Sequence, residues 1–207
     1  MSEWVYDAIK ISIALLLVLV NGFFVGAEFA LVKIRASRID EMVEERRPFA
    51  STAGWLVERL DASLSACQLG ITLSSLILGW LAEPAVAELL LWGAASAGLG
   101  LDPASVWVHA VALGIALSVV TFLHMTLGEQ APKIWAINRS DTVVLQTARP
   151  LQVFAAVFQP FIWVINQSSN GLLRLAGIPR RIGGTCSRTR RRLYTHLALS
   201  PPAGDDR

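Results

Sequence analysis

The chain has 207 residues, of which 54% are hydrophobic and only 16% charged, and its formal net charge is +2. A soluble domain of this size carries about 25% charged residues, so with a positive mean hydropathy the composition points to an all-α integral membrane protein. It offers no basic stripe interleaved with aromatics, which argues against nucleic acid as a partner. Its two cysteines, Cys67 and Cys186, are too few for a disulfide framework or a zinc site.

Residues 11–32 form the first apolar run, interrupted by Ser12, Asn21 and Glu28. At 1.5 Å per residue it reaches roughly 33 Å, enough for a hydrocarbon core of about 30 Å. The stretch before it is acidic (Glu3, Asp7) and the run shows no small-x-small cleavage pattern, so a retained span is expected rather than a signal peptide. Residues 64–81 are the second run, containing Gln68, Thr72, Ser74 and Ser75. Residues 82–105, rich in Gly and Ala with Pro84 and Pro103, read as a loop with some interfacial helix. The third run, 106–127, is interrupted by His109, Ser118, Thr121, His124 and Thr126. Residues 151–165 are short for a span and contain Pro160, which suggests an interfacial or re-entrant helical belt. From Gly183 the sequence "GGTCSRTRRRLYTHLALSPPAGDDR" is basic and aperiodic and reads as a disordered tail. The expected organisation is a membrane domain over 1–182 and a tail over 183–207.

Charge placement sets the expected orientation. Lys33, Arg35, Arg38, Arg46, Arg47 and Arg59 lie between the first two runs, the loop 82–105 has no Lys or Arg, and basic residues return after Leu127. The positive-inside rule then places the N-terminus outside and predicts three spans rather than four.

The polar residues within the spans are the candidates for function, because such groups in hydrocarbon face protein or a water-filled cavity. Asn21 and Glu28 share one face of the first span, and Gln68, Thr72 and Ser75 make a stripe on the second. The third run ends in "LHMTLGEQAPKIW". There Pro132 has no N–H and would clash with the Gly128 carbonyl if the helix continued, so a local break is expected to free that carbonyl beside Glu129. Lys133 is expected at the edge of the membrane. Amides, hydroxyls and a carboxylate are hard ligands of the kind Mg²⁺ or Ca²⁺ takes, Mg²⁺ using one or two carboxylates and keeping several waters.

Other polar groups have plainer readings. Ser74, Ser118, Thr121 and Thr126 are expected to bond back to their own helix or to glue neighbours. Glu28 is expected to pair with Lys33 or Arg35. Gly22 and Gly26 form a small-xxx-small pair whose ordinary meaning is close helix packing or dimerisation. His109 and His124 stand near opposite ends of one span and are expected to pack or hydrogen-bond at the interface. No nucleophile–base pair or metal-hydrolase spacing is evident, so an enzyme is not expected.

The blocks "NGFFVGAEFALVKIRASRIDEMVEE", "LSACQLGITLSSLILGWLAEPAV", "LHMTLGEQAPKIWAI" and "ARPLQVFAAVFQPFIWVINQSSNGLLRLAGI" together resemble the transmembrane domain of the CorC/CNNM (hemolysin-like) family. The resemblance covers roughly residues 8–178, and its core is Gly-Glu-x-x-Pro-Lys after a span. It implies a plasma-membrane homodimer of three-span subunits with a juxtamembrane belt. It also implies Mg²⁺ efflux by alternating access, in some members coupled to Na⁺ influx. The metal site it implies falls on Asn21, Thr72, Ser75, Gly128 and Glu129, with Pro132 and Lys133 completing the motif. Efflux members commonly carry Ser where Val25 stands and Asn where Thr72 and Ser75 stand, which leaves this site poorer in ligands. The resemblance stops near Ile182, ahead of the nucleotide-binding CBS pair usual in the family, so nucleotide binding by this chain is not expected. The competing expectation is a membrane scaffold or sensor with the same fold, acting through cytoplasmic partners.

Overall fold

The computed structural model describes residues 3–98 and 105–177; the expected tail over 183–207 lies outside them. Among the described residues the secondary structure is helical throughout, with no strand. Two compact units divide the chain, one ending at Trp163 and one beginning at Val164.

The first unit opens with α1 (Glu3–Lys33), whose last turn carries the basic Lys33 against the negative end of the helix dipole. Next come α2 (Ala36–Glu44) and α3 (Ala50–Glu58), short helices that bury Ile39 and Met42, and Ala50, Ala53 and Leu56. α2 stops because Arg46 takes a left-handed φ of 54°. The Arg47 N–H then reaches the Met42 carbonyl and the Arg46 N–H reaches that of Val43, which closes the helix end in a Schellman arrangement.

α4 runs from Leu60 to Ser96, 37 residues with Pro84 inside it. The loop expected from residue 82 is therefore helix as far as Ser96. The reason is that "AVAELLLW" after Pro84 consists largely of strong helix formers. The backbone group a proline leaves unpaired is tolerated in spanning helices, and the Lys10–Glu88 ion pair, at 3.1 Å, ties the extension to α1. α5 (Val106–Leu123) continues through a π-helical segment, His124–Gln130, into α6 (Ala131–Asn138). α7 (Ser140–Val157) follows, and Phe158 separates it from α8 (Gln159–Leu175), because Pro160 in the first turn of α8 cannot continue a preceding helix.

Three segments are long and apolar enough to cross a bilayer: Ile9–Lys33, Leu60–Ser96 and Val106–Asn138. A fourth exists only if α7 and α8 count together as one broken span. The all-helical membrane architecture expected from the sequence is thus present, with three candidate spans, or four if the bent α7–α8 pair is one. Side-chain pairings fix the relative directions. As α1 advances from Lys10 through Asn21 to Phe24, its partners on α4 retreat from Glu88 through Ser75 to Gly70, so these two helices are antiparallel. As α1 advances from Asn21 to Gly26, its partners advance from Gly128 to Pro132, so the third span runs parallel to the first.

The main core gathers Phe24 and Leu31 of α1, Met42 of α2, Leu56 of α3, Leu69 of α4, and Val144 and Leu151 of α7. A smaller cluster joins Val18 to Leu78 and Ala82. Gly70 explains how closely α1 and α4 approach: a Cβ there would lie 2.5 Å from the Phe24 ring. In the second unit the described residues continue α8 from Val164 to Leu175.

Candidate functional site

Asn21 is the most buried polar side chain of the spans, with 1% of its surface exposed. Its Nδ2 donates to the Gly128 carbonyl at 2.9 Å, and its Oδ1 accepts a longer contact, 3.4 Å, from the Ser75 hydroxyl. One amide therefore joins all three spanning segments at a single point. A buried amide left unpaired costs about 1–3 kcal/mol, so these partners hold it in place as much as it holds them.

The Gly128 carbonyl is available for a local reason. In an α-helix its acceptor position would be filled by the N–H of residue 132, and Pro132 has none. The expected break does not occur; instead the helix widens over His124–Gln130, and the Ala131 N–H bonds the Thr126 carbonyl five residues back. A π-segment inserts the extra residue that relieves the proline clash while the helix continues. Pro132 then sits in the first turn of α6, where a missing N–H costs nothing. The Gly128 position also has no room for a side chain: a Cβ would lie 2.8 Å from His124 Cδ2 and 3.4 Å from Asn21 Nδ2.

The remaining candidates lie around this knot. Thr72 is exposed, and its hydroxyl donates to the Gln68 carbonyl of its own helix at 2.8 Å. Glu129 is exposed and follows Gly128 directly. The Lys133 ammonium lies over the Phe29 ring, 4.6 Å from its centre, a cation–π contact that ties α6 to α1. Val25 is buried. The structure thus brings Asn21, Ser75 and Gly128 together, while Thr72 and Glu129 stay outside their hydrogen bonds.

Ser74 and Ser118 bond back to the carbonyls of Gly70 and Gly114, both at 2.8 Å, as the plain reading expects. Glu28 makes no ion pair with Lys33 or Arg35 among the described residues. Gly22 and Gly26 pack within the subunit: a Cβ on Gly22 would lie 2.9 Å from Pro132 Cγ, and one on Gly26 3.8 Å from Val143 Cγ1. Sequence reading missed this pairing and the placement of His124 against Gly128. The signal for both was present, since a glycine facing a proline motif is where backbones can approach.

Among the described residues no three His, Cys, Asp or Glu side chains cluster as a metal set. A cation held here would meet neutral oxygens from Asn21, Ser75 and the Gly128 carbonyl, whose second lone pair remains, with Glu129 as the neighbouring charge. That donor set is all oxygen and rich in neutral groups, which fits a hard cation that keeps part of its water.

An all-α membrane protein in which a buried amide joins three spans to a Gly-Glu-x-x-Pro-Lys segment is a narrow class. The chain belongs to the CNNM family: the model of the Cyclin M transmembrane N-terminal domain matches residues 12–194. Similar proteins include the UPF0053 protein YrkA of Bacillus subtilis, 39% identical over 170 residues, which are 82% of this chain and 38% of YrkA. YhdT of the same organism is 43% identical over 162 residues, 78% of this chain and 34% of YhdT. YugS is 40% identical over 158 residues, 76% of this chain and 36% of YugS. The chain therefore spans little more than a third of the length of these relatives.

Proposed function

We propose that this domain carries a divalent cation, Mg²⁺ in the first place, across the plasma membrane by alternating access, with Na⁺ as a coupling ion. In this reading the chain is a homodimer with its N-terminus outside, performs no covalent chemistry, and binds neither nucleic acid nor nucleotide through these residues. Membership in the CNNM family and the three spans support a transporter-like membrane domain. The observation that carries the reading is Asn21, a fully buried amide bridging Gly128 and Ser75 with a carboxylate one residue away. Glu129 supplies charge; Asn21, Ser75, the Gly128 carbonyl and, after a rotation of its hydroxyl, Thr72 supply neutral oxygens. Pro132 removes the N–H that would pair with the Gly128 carbonyl in an α-helix, and Lys133 anchors the segment on Phe29.

The test is Mg²⁺ titration of the purified chain in detergent, with Ca²⁺ and Na⁺ as competitors, beside a Glu129→Gln variant that elutes and melts like the parent. Saturable binding that weakens by about tenfold or more in the variant, equal to about 1.4 kcal/mol or more, supports the ion site. A folded parent without saturable binding would sink it.

A second reading, a membrane scaffold or sensor, draws on a specific observation. The hydrogen bonds of Asn21 with Gly128 and Ser75 satisfy one another without any ion. Under it, Glu129→Gln leaves cation titrations unchanged and alters only association with cytoplasmic partners.

A further inference from the structure

Beside the Asn21 knot, against the same Gly128–Pro132 stretch, lies a groove of about 420 Å³. Gly22 and Gly26 of α1 line it together with Leu19, Pro132, Trp135 and Val143. We propose that this groove holds one acyl chain of a membrane phospholipid as a resident lipid. The inference is independent of which cation, if any, the knot receives.

The occupant follows from what the groove can and cannot accept. Leu19, Gly22, Gly26, Pro132 and Trp135 belong to the segments Ile9–Lys33 and Val106–Asn138, which are long and apolar enough to cross a bilayer, and in this proposal lipid lies at the groove mouth. An empty slot of this size would forfeit the dispersion contacts of every atom lining it. Water is a poor filler, because a buried water needs two to four polar partners. Of the polar residues at the groove, the Thr147 hydroxyl already donates to the Val143 carbonyl at 2.8 Å, which leaves Gln146 at the rim. No buried side-chain nitrogen or oxygen among the described residues lacks a partner. A helix from a second copy, about 10 Å across, would fill this volume with roughly one turn and so gain little hold from the groove. A flexible hydrocarbon chain fits both the shape and the chemistry. An apolar throat with an amide and an indole at its edge is the pattern of a site for an amphiphile.

The groove also has a mechanical connection to the site. Gly22 lines it, and a Cβ there would lie 2.9 Å from Pro132 Cγ and 3.7 Å from the Gly128 carbonyl oxygen. A chain lying in the groove therefore rests on the residues that set the separation of α1 from the π-segment.

The experiment is native mass spectrometry of the full chain extracted from vesicles of dioleoylphosphatidylcholine, compared with Ala131→Phe and Gln146→Trp, which place bulk at the groove mouth from exposed positions. Val119→Phe, at an exposed position on α5, is the control. The expected result is one retained lipid per chain in parent and control, reduced at least tenfold in both filling variants. No retained lipid in the parent, or equal retention in all four proteins, overturns the proposal. So does a lipid-free parent dimer that dissociates when the groove is filled, because the occupant is then a second copy. Should the filling variants fail to fold, a chain retaining only Trp135 is titrated in detergent with phosphatidylcholine brominated on its acyl chains. Quenching that saturates at one lipid per chain supports the site, and quenching that never saturates overturns it.

Discussion

The two ends of the spanning bundle are built differently. Toward Lys33, α1, α2, α3, α4 and α7 close over a continuous core that includes Phe24, Met42, Leu56 and Leu151. Toward Lys10, the small cluster of Val18, Leu78 and Ala82 stands alone, and α5 buries only Ala112 and Ala116. In water such a thin end would be unstable. In lipid the exposed apolar surface of α5 is solvated by hydrocarbon, and helices associate through packing and polar contacts instead. The Asn21 knot sits where the two constructions meet, between Val18 and Phe24. A rearrangement of the third span against α1 and α4 would meet little resistance at the thin end and a great deal at the thick one.

The sharpest way to break this contrast is to add the same methyl group at each end. Gly70 faces the Phe24 ring with no space, and that ring is itself packed against Phe23 and Phe154 with centroid separations of 5.1 and 4.7 Å. Gly70→Ala should therefore cost about 1–3 kcal/mol by overpacking. Gly114, at the thin end, has nothing within 4 Å of an added Cβ, so Gly114→Ala should be neutral or slightly stabilising, since alanine is the better helix former. Thermal unfolding of both variants in one detergent checks the pair. Equal losses would mean that the thin end is packed by something outside the subunit, for example a second copy.

A smaller effect is expected at the junction. Asn21→Leu keeps the volume of the side chain but strips the Gly128 carbonyl and the Ser75 hydroxyl of their partner, which should cost about 1–2 kcal/mol. Combining it with Ser75→Ala in a double-mutant cycle separates the two contacts. The 3.4 Å geometry predicts that Ser75 contributes the minor share, so a coupling close to the whole Asn21 loss would contradict the structure.

Much of this was legible in the sequence because lipid imposes simple rules. Three apolar runs long enough to cross were sufficient to locate the three long candidate spans. Asn21 and Gly128 were legible as well, the first as an amide in hydrocarbon and the second as the carbonyl that Pro132 cannot use. Local patterns were weaker guides to the helix ends. Pro84 reads as a terminator, yet the residues after it favour helix strongly enough to continue to Ser96. Pro132 reads as a break, yet one inserted residue lets the helix pass through as a π-segment. Thr72 and Ser75 are three residues apart on one stripe, and only the crossing of α1 over α4 decides that Ser75 meets Asn21 while Thr72 bonds its own helix. Such outcomes depend on tertiary registers that no single stripe encodes.

The smallest effect is expected where the thick end is fastened by charge. Arg38 of α2 donates to Asp141 at the start of α7 at 2.8 Å and to Glu41 at 2.7 Å. These hydrogen bonds, that with Asp141 foremost, raise the guanidinium pKa above its ordinary value. A cationic group with a raised folded-state pKa contributes stability that is fully present below its unfolded pKa and is lost as pH rises through the folded one. For arginine both values lie above the range in which the protein is handled. Deprotonation of Arg38 should therefore add no pH dependence there, and salt is the effective lever, because the side chain is 39% exposed and exposed pairs are screened. Asp141→Asn should lower the melting temperature slightly in dilute buffer, and the difference should shrink steadily as NaCl is added. A difference that survives high salt would show that α2 is held to α7 by the shape of its hydrogen bonds rather than by charge. The packing of Ile39 and Met42 would then account for less of the fastening than their burial suggests.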